Sequence, residues 1–185
     1  MSLEKRLAVF LDRDGVINED YGHITKPEQL KLYPRVIEAI SMLNKDYLVF
    51  IITNQSVVGR GMCTEEDVHN LHRHLRTLLG EAKIDGIYSC FHHPTEAVGK
   101  YKKDCTCRKP RPGMILEAAN RYDIDYTKSY FIGDKTTDIF AGFLCGVKTI
   151  LVKTGAAGKD NQHKIKPNHI AEDLYDAAKF IMEKK

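Results

Sequence analysis

An α/β fold, with a central parallel sheet and helices on both faces, is the class this sequence predicts, and three observations predict it. Short apolar runs alternate along the chain with segments of helical periodicity, the pattern of βαβ units. The first run, Leu7-Ala8-Val9-Phe10-Leu11, is apolar at every position, as a buried strand is. Polar residues gather just beyond the ends of these runs, where open parallel sheets bind their ligands.

The first strand is that run. Pro34 then opens a helix whose apolar positions Val36, Ile37, Ala39, Ile40, Met42 and Leu43 keep the helical period and which Asn44 helps to end. A second strand spans Tyr47 to Thr53. Thr64 reads as an N-cap with Asp67 as its capping-box partner, and Val68, Leu71, Leu75, Leu78 and Leu79 form the buried stripe of a helix stopping at Gly80. Gly86 to Phe91 is a third strand. Residues 92–112 have no periodicity and form a loop long enough to need a stabiliser of its own. A helix from Pro112 through Tyr122, a strand from Tyr130 to Gly133, a helix from Thr137 to Leu144 ending near Gly146, and a strand from Val147 to Val152 follow. A last amphipathic helix runs from about Ala171 to Met182. No repeat, low-complexity tract or domain boundary interrupts this order, so residues 1–185 are expected to form one domain.

Composition narrows the class of function. With 43% hydrophobic and 29% charged residues the chain is an ordinary globular domain with a full core, and disorder is excluded. The net charge of +3 is small and the basic residues are scattered; the densest run, Lys100-Tyr101-Lys102-Lys103, stops at Asp104, which argues against nucleic acid. Met1 to Arg6 carry no apolar leader and no run approaches bilayer length, so a cytoplasmic protein without a membrane partner is expected. Five cysteines in a reducing compartment read as thiols or metal ligands. A monomer acting on a small molecule is the expectation.

Asp12 and Asp14 follow the first strand two residues apart, so both can converge on one small volume while Gly15 lets the chain turn away. Two carboxylates so close repel unless a divalent cation sits beside them, and such a site can do phosphoryl chemistry. A calcium loop would need further oxygen ligands that Ile17 to Gly22 do not supply at the right spacing. The second strand ends in Thr53-Asn54-Gln55-Ser56, donors suited to a phosphate. Asp134, after the strand at Tyr130, is placed to bind the cation with Asp12, and Asp138 to orient it or to pair with Lys135. Arg108-Lys109-Pro110 supplies cations.

Cys90, Cys105 and Cys107 with one of His92 and His93 bracket the long loop and make a closed tetrahedral Zn²⁺ site; spacing leaves the choice of histidine open. With no open position the zinc is structural, pinning loop 90–107 so that Arg108 and Lys109 point at the active site. A zinc hydrolase is excluded for the same reason. A nucleic-acid-binding ribbon is excluded by the lack of stacking aromatics or a basic helical stripe.

Taken in order, these segments resemble the four motifs of the haloacid dehalogenase-like phosphatase superfamily over nearly the whole chain. The resemblance implies a three-layer Rossmann-like fold, with Asp12 as the nucleophile that forms an aspartyl-phosphate and Asp14 as the acid/base. It also implies Thr53 and Lys109 as phosphate holders, and Mg²⁺ held by Asp12, Asp134 and Asp14, the last usually through its backbone carbonyl. Cys-x-His-His-Pro followed by Cys-x-Cys-Arg-Lys-Pro-x-Pro-Gly-Met resembles one subgroup, the D-glycero-D-manno-heptose 1,7-bisphosphate phosphatases, in which His92 matches the zinc ligand.

That subgroup implies hydrolysis of a sugar bisphosphate to heptose 1-phosphate. The histidinol-phosphate phosphatases share the zinc loop and are the alternative. Asp20-Tyr21-Gly22-His23 with Lys26-Pro27, Asn54-Gln55-Ser56 leading to Gly59-Arg60-Gly61, and Gly133-Asp134-Lys135 look more like the heptose branch. Val16, Val57 and Phe91 stand where the relatives usually have Thr, Gly and Pro. No insertion leaves room for a separate cap domain, so loops after Asn18, after Ser56 and around the zinc are expected to form the substrate rim. A second phosphate would meet Arg108, Arg60 or Lys135, and sugar hydroxyls Asp20, His23, Gln55 and Ser56, with Tyr21, Gly22 and Asn54 on the same rim.

Overall fold

β1 (Ala8–Leu11), β2 (Leu48–Asn54), β3 (Gly86–Cys90), β4 (Tyr130–Gly133), β5 (Lys148–Val152) and β6 (His169–Ala171) pair throughout in parallel. They form one six-stranded sheet in the order β3-β2-β1-β4-β5-β6. The computed structural model describes residues 5–184; Met1 to Glu4, on which most of the expectation about a leader rests, and Lys185 lie outside the described residues.

Parallel neighbours need crossovers, and α1 (Val36–Leu43), α2 (Ser56–Gly59) with α3 (Glu65–Leu79), α4 (Gly113–Tyr122) and α5 (Thr136–Cys145) supply four of the five; an irregular segment joins β5 to β6, and α6 (Leu174–Glu183) follows the last strand. Alternate residues of each strand face opposite layers. Val9, Leu11, Val49 and Ile51 pack with Ile40, Leu71 and Ala177 of α1, α3 and α6. Phe10, Phe50, Ile52 and Phe131 pack with Met114, Ala118 and Ala141 of α4 and α5. Emptying one of these positions, as in Phe50→Ala, costs about 3–5 kcal/mol.

Local chemistry sets the helix ends. Thr64 Oγ1 accepts the Asp67 N–H at 3.1 Å while Asp67 Oδ2 accepts the Thr64 N–H at 2.8 Å, the reciprocal cap expected from the sequence. Most ends fall within one residue of expectation, and three larger differences stand out. α1 begins at Val36, not Pro34, because Arg35 takes a left-handed φ of 61°. Ser56–Gly59 forms a single helical turn too short to show periodicity. Ala171 belongs to the short β6, and α6 starts only at Leu174, where Asp173 caps the Asp176 N–H at 2.8 Å. Three residues of strand offer too few positions for an alternating pattern to stand out beside a helical one.

The sheet order places the site. From β1 the chain builds outward to β2 and β3, then returns to lay β4, β5 and β6 on the other side. The crevice between β1 and β4, at their carboxyl ends, is the switch point of the sheet. Asp12 is the first residue past β1 and Asp134 the first past β4.

Candidate active site

The Asp12 N–H still donates to the Ile132 carbonyl at 3.0 Å, so the residue leaves the strand with its backbone fixed. Its Oδ1 accepts the Arg13 N–H at 2.7 Å and pairs with Lys109 Nζ at 2.9 Å. The same ammonium meets Asp138 Oδ1 at 2.8 Å and donates to the Ile52 carbonyl at 2.7 Å, giving its three protons three oxygens. Burial works against a charge on Lys109, which is 3% exposed, but Asp12 and Asp138 outweigh it and hold the lysine above its usual range. Asn54 fixes the lysine backbone with both ends of its amide, Nδ2 to the Lys109 carbonyl and Oδ1 from the Lys109 N–H, each at 3.1 Å.

Asp14 is held differently. Its Oδ1 accepts from Arg13 Nε at 3.0 Å and Asn18 Nδ2 at 2.9 Å, and its Oδ2 from Arg13 Nη2 at 2.8 Å and Gln55 Nε2 at 2.9 Å. Burial opposes ionisation, but the Arg13 charge and the Asn18 and Gln55 donors outweigh it, so Asp14 titrates below the usual carboxylate range. Arg13 is fully buried, and its Nη1 reaches His72 Nε2 of α3 at 3.2 Å. A guanidinium only donates, so that nitrogen of His72 is the acceptor and the ring is neutral. Burial first, then the Arg13 charge, pushes its pKa down to about 3. Gln55 Nε2 also donates to Thr53 Oγ1 at 2.8 Å, tying the phosphate-holding candidate into the same network.

Oxygens of Asp12, Asp134 and Asp138 lie within 4.8 Å of one another. Asp134 is fully buried, and among the described residues its Oδ1 accepts no hydrogen bond. Burial and then the charges of Asp12 and Asp138 push its pKa up to about 8, and burial, opposed by Lys109, pushes Asp12 up to about 6. An all-oxygen donor set short of positive charge, with one oxygen unpartnered, fits a hard divalent cation. The Asp14 carboxylate is occupied elsewhere, so Asp14 could serve that cation only through its carbonyl.

Of the two roles expected of Asp138, the ion pair with Lys135 does not form. The Asp138 carboxylate pairs with the Lys109 ammonium and accepts the Lys135 backbone N–H at 3.0 Å, while Lys135 Nζ pairs with Asp20 at 3.0 Å. Asp138 sits in the first turn of α5, where its side chain caps the helix and faces inward rather than along the surface toward the long Lys135 side chain.

The cysteine cluster has the geometry of a four-ligand site. Cys90, Cys105 and Cys107 Sγ are separated by 3.6, 3.1 and 3.2 Å, and His92 Nδ1 lies 3.3 Å from Cys107 Sγ and 3.7 Å from Cys90 Sγ. A tetrahedron with zinc–sulfur bonds of about 2.3 Å has edges of roughly 3.8 Å, close to this spacing. His92 therefore completes the set. His93 faces away, its Nδ1 accepting the Glu96 N–H at 3.1 Å.

A cleft of about 620 Å³ opens over Asp12, Asp14, Thr53 and Lys109. Of the expected rim residues Asp20, Gly22, His23, Asn54, Gln55, Ser56, Arg108 and Lys135 line it, although the amides of Asn54 and Gln55 are already committed to Lys109 and Asp14. Tyr21 and Arg60 do not line it. Tyr21 is 64% exposed beside a separate depression, and Arg60 is turned onto Glu96, an ion pair with its own loop neighbour that draws the guanidinium off the rim. Sequence reasoning missed His93, Lys103, Arg111 and Gln162 on the rim, and Arg13 and His72 behind it. For Lys103 and Arg111 the signal was present, as basic residues inside the zinc loop and beside Arg108.

A family model described as HAD-hydrolase-like matches residues 106–177. The chain is 39% identical over 178 residues to the D-glycero-beta-D-manno-heptose-1,7-bisphosphate 7-phosphatase of Pasteurella multocida, an alignment covering 94% of this chain and 96% of that one. It is 43% identical to the enzyme of the same name from Photorhabdus laumondii, covering 94% of each. Among solved structures, the D,D-heptose 1,7-bisphosphate phosphatase of B. bronchiseptica complexed with magnesium and phosphate superposes with a TM-score of 0.86 at 30% identity, covering 97% of this chain and 99% of that one.

Proposed function

Because the chain belongs to the haloacid dehalogenase-like hydrolases, in the family of the heptose-1,7-bisphosphate 7-phosphatases, and is a phosphoric monoester hydrolase, we propose that it removes the 7-phosphate of D-glycero-D-manno-heptose 1,7-bisphosphate and leaves heptose 1-phosphate. The observation that carries this reading is Asp12, held against Lys109 at the sheet's switch point, with Thr53 and the unpartnered Asp134 oxygen beside it.

Asp12 is the nucleophile. One of its oxygens forms a bond to phosphorus as the bond to the sugar oxygen breaks, and that oxygen takes a proton from Asp14. Water then attacks phosphorus, gives a proton to Asp14, and releases inorganic phosphate and the free Asp12 carboxylate. Lys109 and Thr53 hold the oxygens of the transferring group, where negative charge accumulates. In the structure Asp14 is ionised within its cage of Arg13, Asn18 and Gln55, the form that accepts a proton from water. Donating a proton requires its carboxylate to leave the Arg13 fork.

Asp12, Asp134 and the Asp14 carbonyl would hold Mg²⁺. When bound, it neutralises charge on the phosphoryl oxygens and keeps Asp12 ionised. Cys90, His92, Cys105 and Cys107 would hold Zn²⁺ as a structural brace for the loop leading to Arg108 and Lys109. Arg108 is half-buried, with Nη1 on the His92 carbonyl at 3.2 Å, and its remaining donors serve the second phosphate.

Phosphate release from a panel of both heptose 1,7-bisphosphate anomers, histidinol phosphate and simple sugar monophosphates tests the reading. The bisphosphate is expected to give the highest kcat/KM. A preference for histidinol phosphate would overturn the substrate assignment while leaving the chemistry of Asp12 in place.

A further inference from the structure

The loop after β5 reaches back over the cation site. The Ala156 N–H donates to Asp134 Oδ2 at 2.7 Å, and the Gly158 N–H to the Asp134 main-chain carbonyl at 2.7 Å. Thr154 Oγ1 donates to the Gly15 carbonyl at 2.6 Å, in the turn that follows Asp14. Gly155 has a φ of +59°, and a Cβ there would lie 2.3 Å from Asp134 Oδ2 and 2.6 Å from Gly15 Cα. Backbone from the loops after β1 and β5 thus closes on one carboxylate with no side chain between.

The far end of this loop is fixed as well. Asp160 accepts the Thr136 N–H and hydroxyl, both at 2.7 Å, and the His163 ring stacks on Phe140 of α5 with centroids 4.6 Å apart. The segment is therefore tied to α5 at one end and to Asp134 and Gly15 at the other.

We propose that residues 154–158 are a positioning element of the divalent-cation site: they engage Asp134 Oδ2, so that the buried and unpartnered Oδ1 is the oxygen presented to the metal. The inference rests on Asp134 as a cation ligand. Groups that hold a ligating carboxylate fix its orientation, and losing them weakens metal binding by about 10–100-fold. Gly155 is required because any Cβ would displace Oδ2, and Thr154 because its hydroxyl anchors the loop to the turn carrying Asp14.

Mg²⁺ binding measured calorimetrically on the zinc-loaded protein, without substrate, tests it. Gly155→Ala should raise the Mg²⁺ dissociation constant by about tenfold or more and Thr154→Val by a smaller factor, with Thr154→Ser restoring it and zinc content unchanged. Asp134→Asn separates the two levels of the argument. If it binds Mg²⁺ like wild type, the ligand assignment of Asp134 is wrong. If Asp134→Asn loses Mg²⁺ while Gly155→Ala and Thr154→Val bind normally, the positioning role is wrong. Should Gly155→Ala not fold, the Thr154→Val and Thr154→Ser pair decides alone, and a lower Tm with unchanged Mg²⁺ affinity counts against the proposal.

Discussion

The two clusters of potential metal ligands among the described residues are opposites. Cys90, His92, Cys105 and Cys107 come from the end of β3 and the loop after it, and as a set of four they would satisfy a four-coordinate ion among themselves and leave nothing over. Asp12 follows β1, Asp134 follows β4 more than a hundred residues later, and Asp138 lies in the first turn of α5; Asp12 and Asp138 share Lys109, and a buried Asp134 oxygen has no partner among the described residues. A closed ligand set holds a chain in place, whereas an open, electrostatically unbalanced one has capacity left for a substrate. The difference lies in coordination, not burial alone.

If this division holds, damage to each cluster has its own signature. The largest effect belongs to Asp12→Asn, which keeps the shape of the side chain and removes the nucleophile. Turnover should fall by on the order of 10⁴-fold or more with zinc content unchanged. Activity within a few-fold of wild type would place the nucleophile elsewhere, and phosphoenzyme trapped on Asp14 would reverse the two roles.

Next comes Arg108→Ala, at the junction of the two clusters. It should lower kcat/KM for a sugar bisphosphate by about 10–100-fold, the loss of a charge-assisted contact, and hardly affect a small monophosphate that does not reach it. Equal losses on both substrates would put Arg108 on the transferring phosphate instead.

Cys107→Ser should act at a distance. Metal analysis should find less than one zinc per chain, and activity should drop only several-fold, because Lys109 is also held by Asn54 and by its two carboxylates. Complete loss of turnover with zinc still bound would contradict the purely structural assignment.

The smallest effect is on stability. Without a cation the pKa of Asp134 is raised to about 8, so between roughly pH 4 and 8 the folded protein binds a proton that the unfolded chain has lost. Stability of the cation-free protein therefore falls as pH rises through that window. Mg²⁺ replaces the proton and cancels the slope, so the Mg²⁺-induced rise in Tm should be a few degrees larger at pH 8 than at pH 5. An equal rise at both pH values would remove Asp134 from the cation site.

Legibility in the sequence followed the same division. The cysteine cluster was legible because its members lie within one short segment of distinctive residue types, and the fold placed His92 rather than His93 beside the three thiols. That Asp12, Asp14, Thr53, Lys109 and Asp134 would lie near one another was legible because each stands at a strand end or beside the cysteine-bearing loop. Arg13 was not legible, because nothing in its local pattern sets it apart, yet it is completely buried. Asn54 and Gln55 were assigned to substrate from their type, but the fold turns their amides onto Lys109 and Asp14. Residues 154–158 offered Thr, Gly and Ala, whose contribution is made almost entirely by backbone groups.

The order of the longer strands and helices, the clustering of cysteines around one loop and the chemical types at each strand end were written in local patterns, because periodicity, caps and short spacings act over a few residues. Which Asp134 oxygen is free, which carboxylates share Lys109, and which amides are already spent were decided by the parallel sheet order. That order brings residues 12, 53, 109, 134 and 154 into one crevice. Hydrogen bonds and charge pairs there depend on ångström separations between segments that share no local pattern, so they exist only once the core has packed.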